Sequence, residues 1–416
     1  MRTWPREAAT SGAVTHTNHR DLVQVKRAYK FRAYPTRPQE GRAARLLADH
    51  CDLYNAALEE RREAWRMRRV SVSYGVQSAQ LREIRKADPG GHGRHSFTAQ
   101  QQTLRRLNTV VTAFYQRARA GKAGYPRFKP HSRFDQVMFV AGDGAKWIPT
   151  SGESWARAAF QAVGAVKVRQ HRPVCGMVKT LQLKREHRRW YVIVVAEAEP
   201  VPLPATGREI GIDVGVNRFL TTSDGEIVAN PRFLAASSAV IADLQRRKAR
   251  AMPVSGNRKR LRRALAKHWR KARNRRRDFH HKTARALINS SGVIAVEKLN
   301  IAAMTRRPAP KPDGEGGYLP NRAAAKAGLN KVILDAGWAQ FAGILAAKAA
   351  EAGRHVVFVN PAGTSITCHA CGQRCGRPRQ DTVICPCCGR WDADVNGARN
   401  IYARAGLGSG QATQTA

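Results

Sequence analysis

Glu209-Ile-Gly-Ile-Asp213-Val-Gly215 is the stretch on which the reading of this chain turns. It reads as a short apolar strand ending in a carboxylate. A carboxylate at the end of a buried strand is costly unless something positive meets it. Two further runs also set an acid among apolar residues: Val293-Ile-Ala-Val-Glu297-Lys-Leu-Asn300 and Asp392-Ala-Asp394-Val-Asn-Gly-Ala-Arg-Asn-Ile401. Three such acids in one strongly basic chain point to a fold that gathers them around metal ions.

The charge balance narrows the partner. The 416 residues hold 73 Lys+Arg against 30 Asp+Glu, a net charge of +43 and a pI of about 11.2. The excess runs through segments with helical and strand periodicity, so a polyanion held along extended surfaces fits better than a solvated surface. The hydrophobic fraction of 43% is ordinary and supplies real cores. No apolar run approaches the ~20 residues of a bilayer span, so no membrane partner is expected. The N-terminus shows no apolar h-region or cleavage site, which predicts a cytoplasmic, nucleoid-associated protein of a prokaryotic cell.

Residues 1–20 lack periodicity and read as a loose tail. A strand is expected over 23–34. From Gln39 the spacing is helical, with Ala43, Leu46, Leu47, Cys51, Tyr54 and Leu58 on one face, and a second helix is expected over 99–120. Strands are expected over 163–169, 177–184 and 190–196, so an all-β unit is interrupted by a helical insert. Pro200-Val-Pro-Leu-Pro204 reads as a stiff linker.

Beyond it the order is a strand at 210–214 and a hairpin over 218–229. Basic helices follow over 241–290, broken near Pro253 and Gly256. Then come a strand at 293–297, a helix over 329–350, a strand at 355–359 and a final helix. That is the order of an RNase H-like α/β domain. Asp213 and Glu297 would end neighbouring strands, and Asp394 would open the last helix, whose N-terminus favours negative charge. Asp392 competes with Asp394, but only one can point easily into a site. Carboxylate oxygens suit magnesium, and two ions would position the attacking water and stabilise the leaving oxygen of a phosphodiester.

Six of eight cysteines fall between Cys368 and Cys388. Cys368-His-Ala-Cys371 and Cys385-Pro-Cys-Cys388 are two Cys-x-x-Cys pairs with 13 residues between them, the spacing of a structural zinc ribbon. Cys375 and Cys387 are extra, and His369 is unnecessary as a ligand. The ribbon immediately precedes Asp394, so zinc loss should misplace an acid. From 246 to 282 there are 17 Lys/Arg and a single acid, Asp278, a phosphate-tracking surface. Trp269, Phe279, Tyr125 and Phe128 stand among bases and could stack on unpaired bases, with core packing as the alternative. His280 and His281 are expected on the helix surface.

These residues together resemble the TnpB family, transposon-encoded RNA-guided DNA endonucleases related to compact type V CRISPR effectors. The resemblance runs from about residue 26 to 405 and rests on ordered matches. They include Tyr29-Lys-Phe-Arg-Ala-Tyr-Pro35, Cys51-Asp-Leu-Tyr-Asn55, Gly124-Tyr-Pro-Arg-Phe-Lys129, Gly211-Ile-Asp213-Val-Gly215 and Arg276-Arg-Asp-Phe-His-His-Lys282. Val296-Glu297-Lys-Leu-Asn300, residues 328–338, Thr364-Ser-Ile-Thr-Cys368, the second cysteine pair and Asp394-Val-Asn-Gly-Ala-Arg-Asn-Ile401 complete them.

The resemblance implies a β-barrel wedge domain at 21–48 and 121–204, with a helical recognition domain at 49–120. It implies a RuvC-like nuclease domain at 205–406, a zinc-ribbon target-nucleic-acid-binding insert at 364–391, and a tail at 407–416. The catalytic, magnesium-binding acids would be Asp213, Glu297 and Asp394, and the zinc ligands Cys368, Cys371, Cys385 and Cys388. Tyr54, Asn55, Tyr125, Arg127, Lys129, Arg276 and Arg277 are candidates for touching nucleic acid. The implied partners are a guide RNA from the element's own end, shared by one or two protein copies, and double-stranded target DNA beside a short flanking motif. Two departures stand out. Gly397 replaces a common alanine and is expected to matter little, while Lys298 replaces a common acid and is expected to weaken metal binding. The alternatives are an RNA-guided repressor that does not cut, a type V CRISPR effector, and a transposase acting directly on element ends.

Overall fold

The computed structural model of the protein describes residues 24–121, 124–150 and 154–408. The expected tail at 1–20, and positions 409–416 of the expected C-terminal tail, lie outside them. The chain divides into two units, Met1–Glu199 and Pro200–Ala416.

In the first unit, β1 (Val25–Tyr34) alternates so that Tyr29, Phe31 and Ala33 face inward. Thr36 and Gln39 then form a capping box that starts α1 (Arg37–Arg68). The helix expected from Gln39 therefore begins at Arg37. A second helix, α2 (Tyr74–Ala87), was not foreseen. It buries only Gln77 and Leu81, too thin a stripe to register as periodicity. α3 spans Phe97–Arg119.

Six strands follow: β2 (Gln136–Ala141), β3 (Gly144–Ile148), β4 (Trp155–Phe160), β5 (Gly164–Arg169), β6 (Met177–Glu186) and β7 (Arg189–Ala198). The sequence reading missed β2, β3 and β4; β3 and β4 in particular are short and alanine-containing, with few of the β-branched residues that mark strands. The seven strands close a barrel in the order β1-β5-β4-β3-β2-β6-β7. Closure leaves no open edge for unwanted pairing. Leu46, Leu47 and Tyr54 of α1 and Leu104 and Leu107 of α3 share one core with Phe31, Phe139 and Val192 of the barrel.

In the second unit, the expected linker is tied down: Val201 and Leu203 donate backbone N–H bonds to the carbonyls of Glu351 and Ala352. A five-stranded sheet follows from β8 (Glu209–Val214), β9 (Arg218–Thr222), β10 (Ile227–Ala229), β11 (Val293–Glu297) and β12 (His355–Val359). Its order is β10-β9-β8-β11-β12, with β8, β11 and β12 parallel. β12 is an edge strand, and its Phe358 is 45% exposed. Between β10 and β11 lie the basic helices α4 (Ser238–Arg250) and α5 (Gly256–Ser290). α6 (Ile301–Met304), α7 (Ala323–Ala336) and α8 (Trp338–Glu351) lead to β12.

The single helix expected over 329–350 is two helices, because Gly337 adopts a left-handed φ of 69°. By length and composition Ala323–Glu351 is apolar enough to cross a membrane, contrary to the sequence expectation. The break at Gly337 divides it, and Ile333, Ala336, Trp338, Phe341 and Leu345 lie in the core. Val332 is exposed. A three-stranded sheet of β13 (Gly376–Arg379), β14 (Thr382–Cys385) and β15 (Gly389–Asp392) then runs into α9 (Ala393–Arg404).

Strand alternation gives the large sheet two different faces. Ile210, Ile212, Ile294 and Val296 pack with Ala284 and Ile288 of α5 and Phe341 and Leu345 of α8. The other face presents Gly211 and Ala295, and α9 lies directly on it. A methyl group at Gly211 would overlap the Ala398 carbonyl oxygen and lie 2.6 Å from the Tyr402 nitrogen, both of them backbone atoms that cannot step aside. Gly211→Ala is therefore expected to destabilise the protein by about 1–3 kcal/mol through overpacking. A thermal melt within a degree of wild type would contradict this seating of α9.

Candidate functional site

The register of β8 and β11 sets Ala295 opposite Gly211 and Val296 opposite Ile212. The next positions on these neighbouring parallel strands are Glu297 and Asp213. By alternation both point to the face covered by α9, and adjacent strands run only about 4.8 Å apart. Asp394 lies in the first turn of α9. The three acids therefore converge at the carboxyl ends of parallel strands, where open α/β sheets place their ligands.

Their electrostatics are those of a site short of positive charge. Burial pushes the Asp213 carboxyl well above the usual carboxylate range, and repulsion from Glu297 and Asp394 adds to it. Burial also raises Glu297, against a hydrogen bond donated by the Thr364 hydroxyl and the charge of Arg404. Asp394 is raised by burial and opposed by Arg218. An all-oxygen set with this strain fits a hard cation. The acids are nonetheless more widely spaced than the cysteines, which alone among the described residues bring all their ligand atoms within 4.8 Å of one another.

Asp392 has a different task from Asp394. It caps α9, its Oδ1 accepting from the N–H groups of Asp394 and Val395, and it holds Arg218 Nη1 at 2.9 and 2.8 Å. The same Arg218 nitrogen lies 3.6 Å from Asp394 Oδ2. The sequence reading missed Arg218, since nothing local links β9 to a residue so far along the chain. Gly397 was expected to matter little, yet a Cβ there would lie 2.8 Å from Asp213 Oδ2, so this glycine leaves the room that the carboxylate occupies. The Lys298 side chain is exposed, and the cation that acts on Glu297 is Arg404.

Cys368, Cys371, Cys385 and Cys388 form the second cluster, with Cys371 and Cys385 sulfurs 3.4 Å apart. Four thiols at this separation suit tetrahedral zinc and leave no position open for chemistry. Cys375 is buried, its thiol pushed up to about 11 by burial, and Cys387 is exposed; neither belongs to the four. His369 is engaged elsewhere. Its backbone N–H and Nδ1 both meet Asn396 Oδ1 at 3.0 Å, and Arg399 Nη1 lies 3.0 Å from Nε2. Asn396 and Asn400 also donate to the Thr367 carbonyl. The side chains of Asp394-Val-Asn-Gly-Ala-Arg-Asn400 thus stitch the cysteine ribbon onto α9.

The nucleic-acid candidates divide by exposure. Tyr125, Arg127 and Arg277 face solvent. Tyr54 does not: it is 1% exposed, tilted against Phe134 with Lys129 Nζ 4.4 Å over its ring. Asn55 holds both the N–H and the carbonyl of Lys129, so Tyr54, Asn55 and Lys129 shape the 124–129 segment from within. Arg276 binds Asp335 and the carbonyls that end α7. His280 is buried, not on the surface. It stacks on Phe219, its Nε2 lies 3.0 Å from the Ala336 carbonyl, and burial lowers it to about 4. Phe279 packs edge-on to Phe219, while Trp269 is 46% exposed.

Known proteins resemble this chain along nearly its whole length. The OrfB_IS605 family, described as "Probable transposase", matches residues 192–307. A "Cas12f1-like, TNB domain" matches 338–401, and a "Helix-turn-helix domain" matches 25–69, which here form a strand and one long helix. A "Putative RNA-guided DNA endonuclease" of Streptomyces pristinaespiralis is 31% identical over 93% of this chain and 90% of its own length. A "Putative RNA-guided DNA endonuclease InsQ" of Escherichia coli K12 is 29% identical over 90% and 91%. The solved Cas12f1–sgRNA–target DNA complex shares the fold, with a TM-score of 0.57 at 13% identity over 91% of this chain and 98% of that one. The chain is a member of the TnpB (OrfB_IS605) family.

Proposed function

We propose that this protein is an RNA-guided, magnesium-dependent DNA endonuclease of a transposable element, cutting target DNA beside a short flanking motif. In this reading the second unit is a RuvC-like domain and the cysteine ribbon its target-nucleic-acid-binding insert. The observation that carries it is that Asp213 and Glu297 share the sheet face covered by α9, with Asp394 in the first turn of that helix. The strand order β10-β9-β8-β11-β12 supports the RNase H-like assignment, and the names of the relatives support the guide and the target.

Asp213, Glu297 and Asp394 would hold the metal. Bound there, magnesium would lower the pKa of a water and offset charge on the leaving oxygen. Thr364 orients the Glu297 carboxylate, and Gly397 leaves space for that of Asp213. Arg218 and the Asp392 cap fix the helix turn that carries Asp394. The exposed bases of α4 and α5 suit a nucleic-acid backbone, each phosphate contact releasing counterions.

The test is to purify the protein with co-expressed RNA, sequence that RNA, and offer a plasmid library with a matching target behind random flanks. Magnesium-dependent cutting is expected, falling to background in Asp213→Ala. Bound RNA without cutting would favour a repressor, and intact cutting by the variant would overturn the site.

A stability measurement follows from the raised carboxyls. A folded-state pKa above the unfolded value favours the folded state at low pH, and that support is lost as pH rises through the folded pKa. In metal-free buffer at pH 7, Asp213→Asn should therefore melt higher than wild type, with the difference shrinking towards pH 4. A lower melting point at pH 7 would mean that the carboxylates are not in conflict.

The ribbon makes a separate prediction. Cys371→Ser should lose zinc and reduce cleavage, because the ribbon is bonded to the helix that bears Asp394. Full cleavage by zinc-free protein would refute that link.

A further inference from the structure

Away from the acids, the second unit holds a cavity of about 820 Å³ between α5, α7 and the segment after α6. That is within the roughly 300–1,000 Å³ range of sites that take small organic groups. One wall is apolar, from Leu234, Pro308, Ala324, Ala327 and Leu334. Trp269 of α5 stands at it with 46% of its surface exposed. Among its cations, Arg276 and Lys326 are engaged: Arg276 with Asp335, and Lys326 with the Met304 carbonyl at 2.7 Å. The one acid, Asp335, is satisfied by Arg276 and by the Leu234 N–H. Arg307 and Lys331 have no acidic partner among the described residues.

An aromatic plate, an apolar wall and two uncommitted cations describe a particular guest: a flat, apolar-faced group joined to an anion. We infer that the cavity receives one unpaired nucleotide, its base stacked on Trp269 and its flanking phosphates met by Arg307 and Lys331. A lipid headgroup or an acidic peptide would use the cations but leave the indole without a stacking partner. The inference rests on the nucleic-acid reading for its guest, but it needs neither the metal site nor cleavage. Stacking tolerates any base, so the pocket would select for the unpaired state and not for sequence.

The experiment uses the full chain and fluorescent 12-mers of single-stranded RNA and DNA, each also made with one abasic position, at fixed salt. Trp269→Ala should weaken binding of the intact oligomers about tenfold, as expected for loss of one stacked base. Trp269→Phe should restore most of it. The abasic series should show the step shrinking when the missing base is the stacked one. Lys331→Ala should instead lower the salt slope by about one unit, whichever bases are present. Comparing RNA with DNA identifies the source of the nucleotide. Equal affinities of Trp269→Ala and wild type for every intact oligomer would overturn the proposal, given an unchanged melting temperature and zinc content. Guided cleavage measured in parallel separates the two readings: cutting with no Trp269 effect discards the pocket alone, and a Trp269 effect without cutting discards the endonuclease alone.

Discussion

The second unit depends on how closely α9 can approach the sheet. That approach exists because β8 and β11 present Gly211 and Ala295 on one face while their alternate residues are large and apolar. At Gly211 backbone lies on backbone, and at Ala295 only a methyl group meets Ile401 of the helix. The same alternation that clears this face delivers Asp213 and Glu297 to it one step further along each strand. Packing and chemistry are therefore set by one two-residue period.

The carboxylates also show what it costs to bury three acids together. Burial raises all three, repulsion from Glu297 and Asp394 adds to it at Asp213, and Arg218, Arg404 and Thr364 only partly offset it. Such strain is typical of functional sites and is tolerated because the surrounding fold is over-determined. Here that surrounding includes the Asp392 cap and the Asn396 and Asn400 bonds to the ribbon.

Much of this was legible in the sequence, and the failures have physical causes. The strand of Asp213, the strand of Glu297 and the cysteine spacing were readable because burial on both faces and thiolate pairs leave dense local signals. α2 was not, since it shows the core only Gln77 and Leu81. Tyr54 is buried and Asn55 holds the Lys129 backbone, placements that a family motif does not reveal, because it marks what must be preserved without saying where the side chain lies. Gly337 hid a helix break inside a continuous apolar pattern, as a left-handed glycine interrupts backbone direction without interrupting composition. Arg218 was invisible because its partner Asp392 arrives only through the fold.

The long basic helix has a consequence for the life of the free protein. Across its middle α5 buries little beyond Ala272, and most of its cations are exposed. A chain so charged repels itself in the compact state, and a polyanion that binds only the folded form relieves that strain by mass action. Nucleic acid would then serve as a folding partner before it served as anything else. The amount of intact protein in a cell would follow the supply of that polyanion, so that unpartnered copies are the ones first lost to proteolysis.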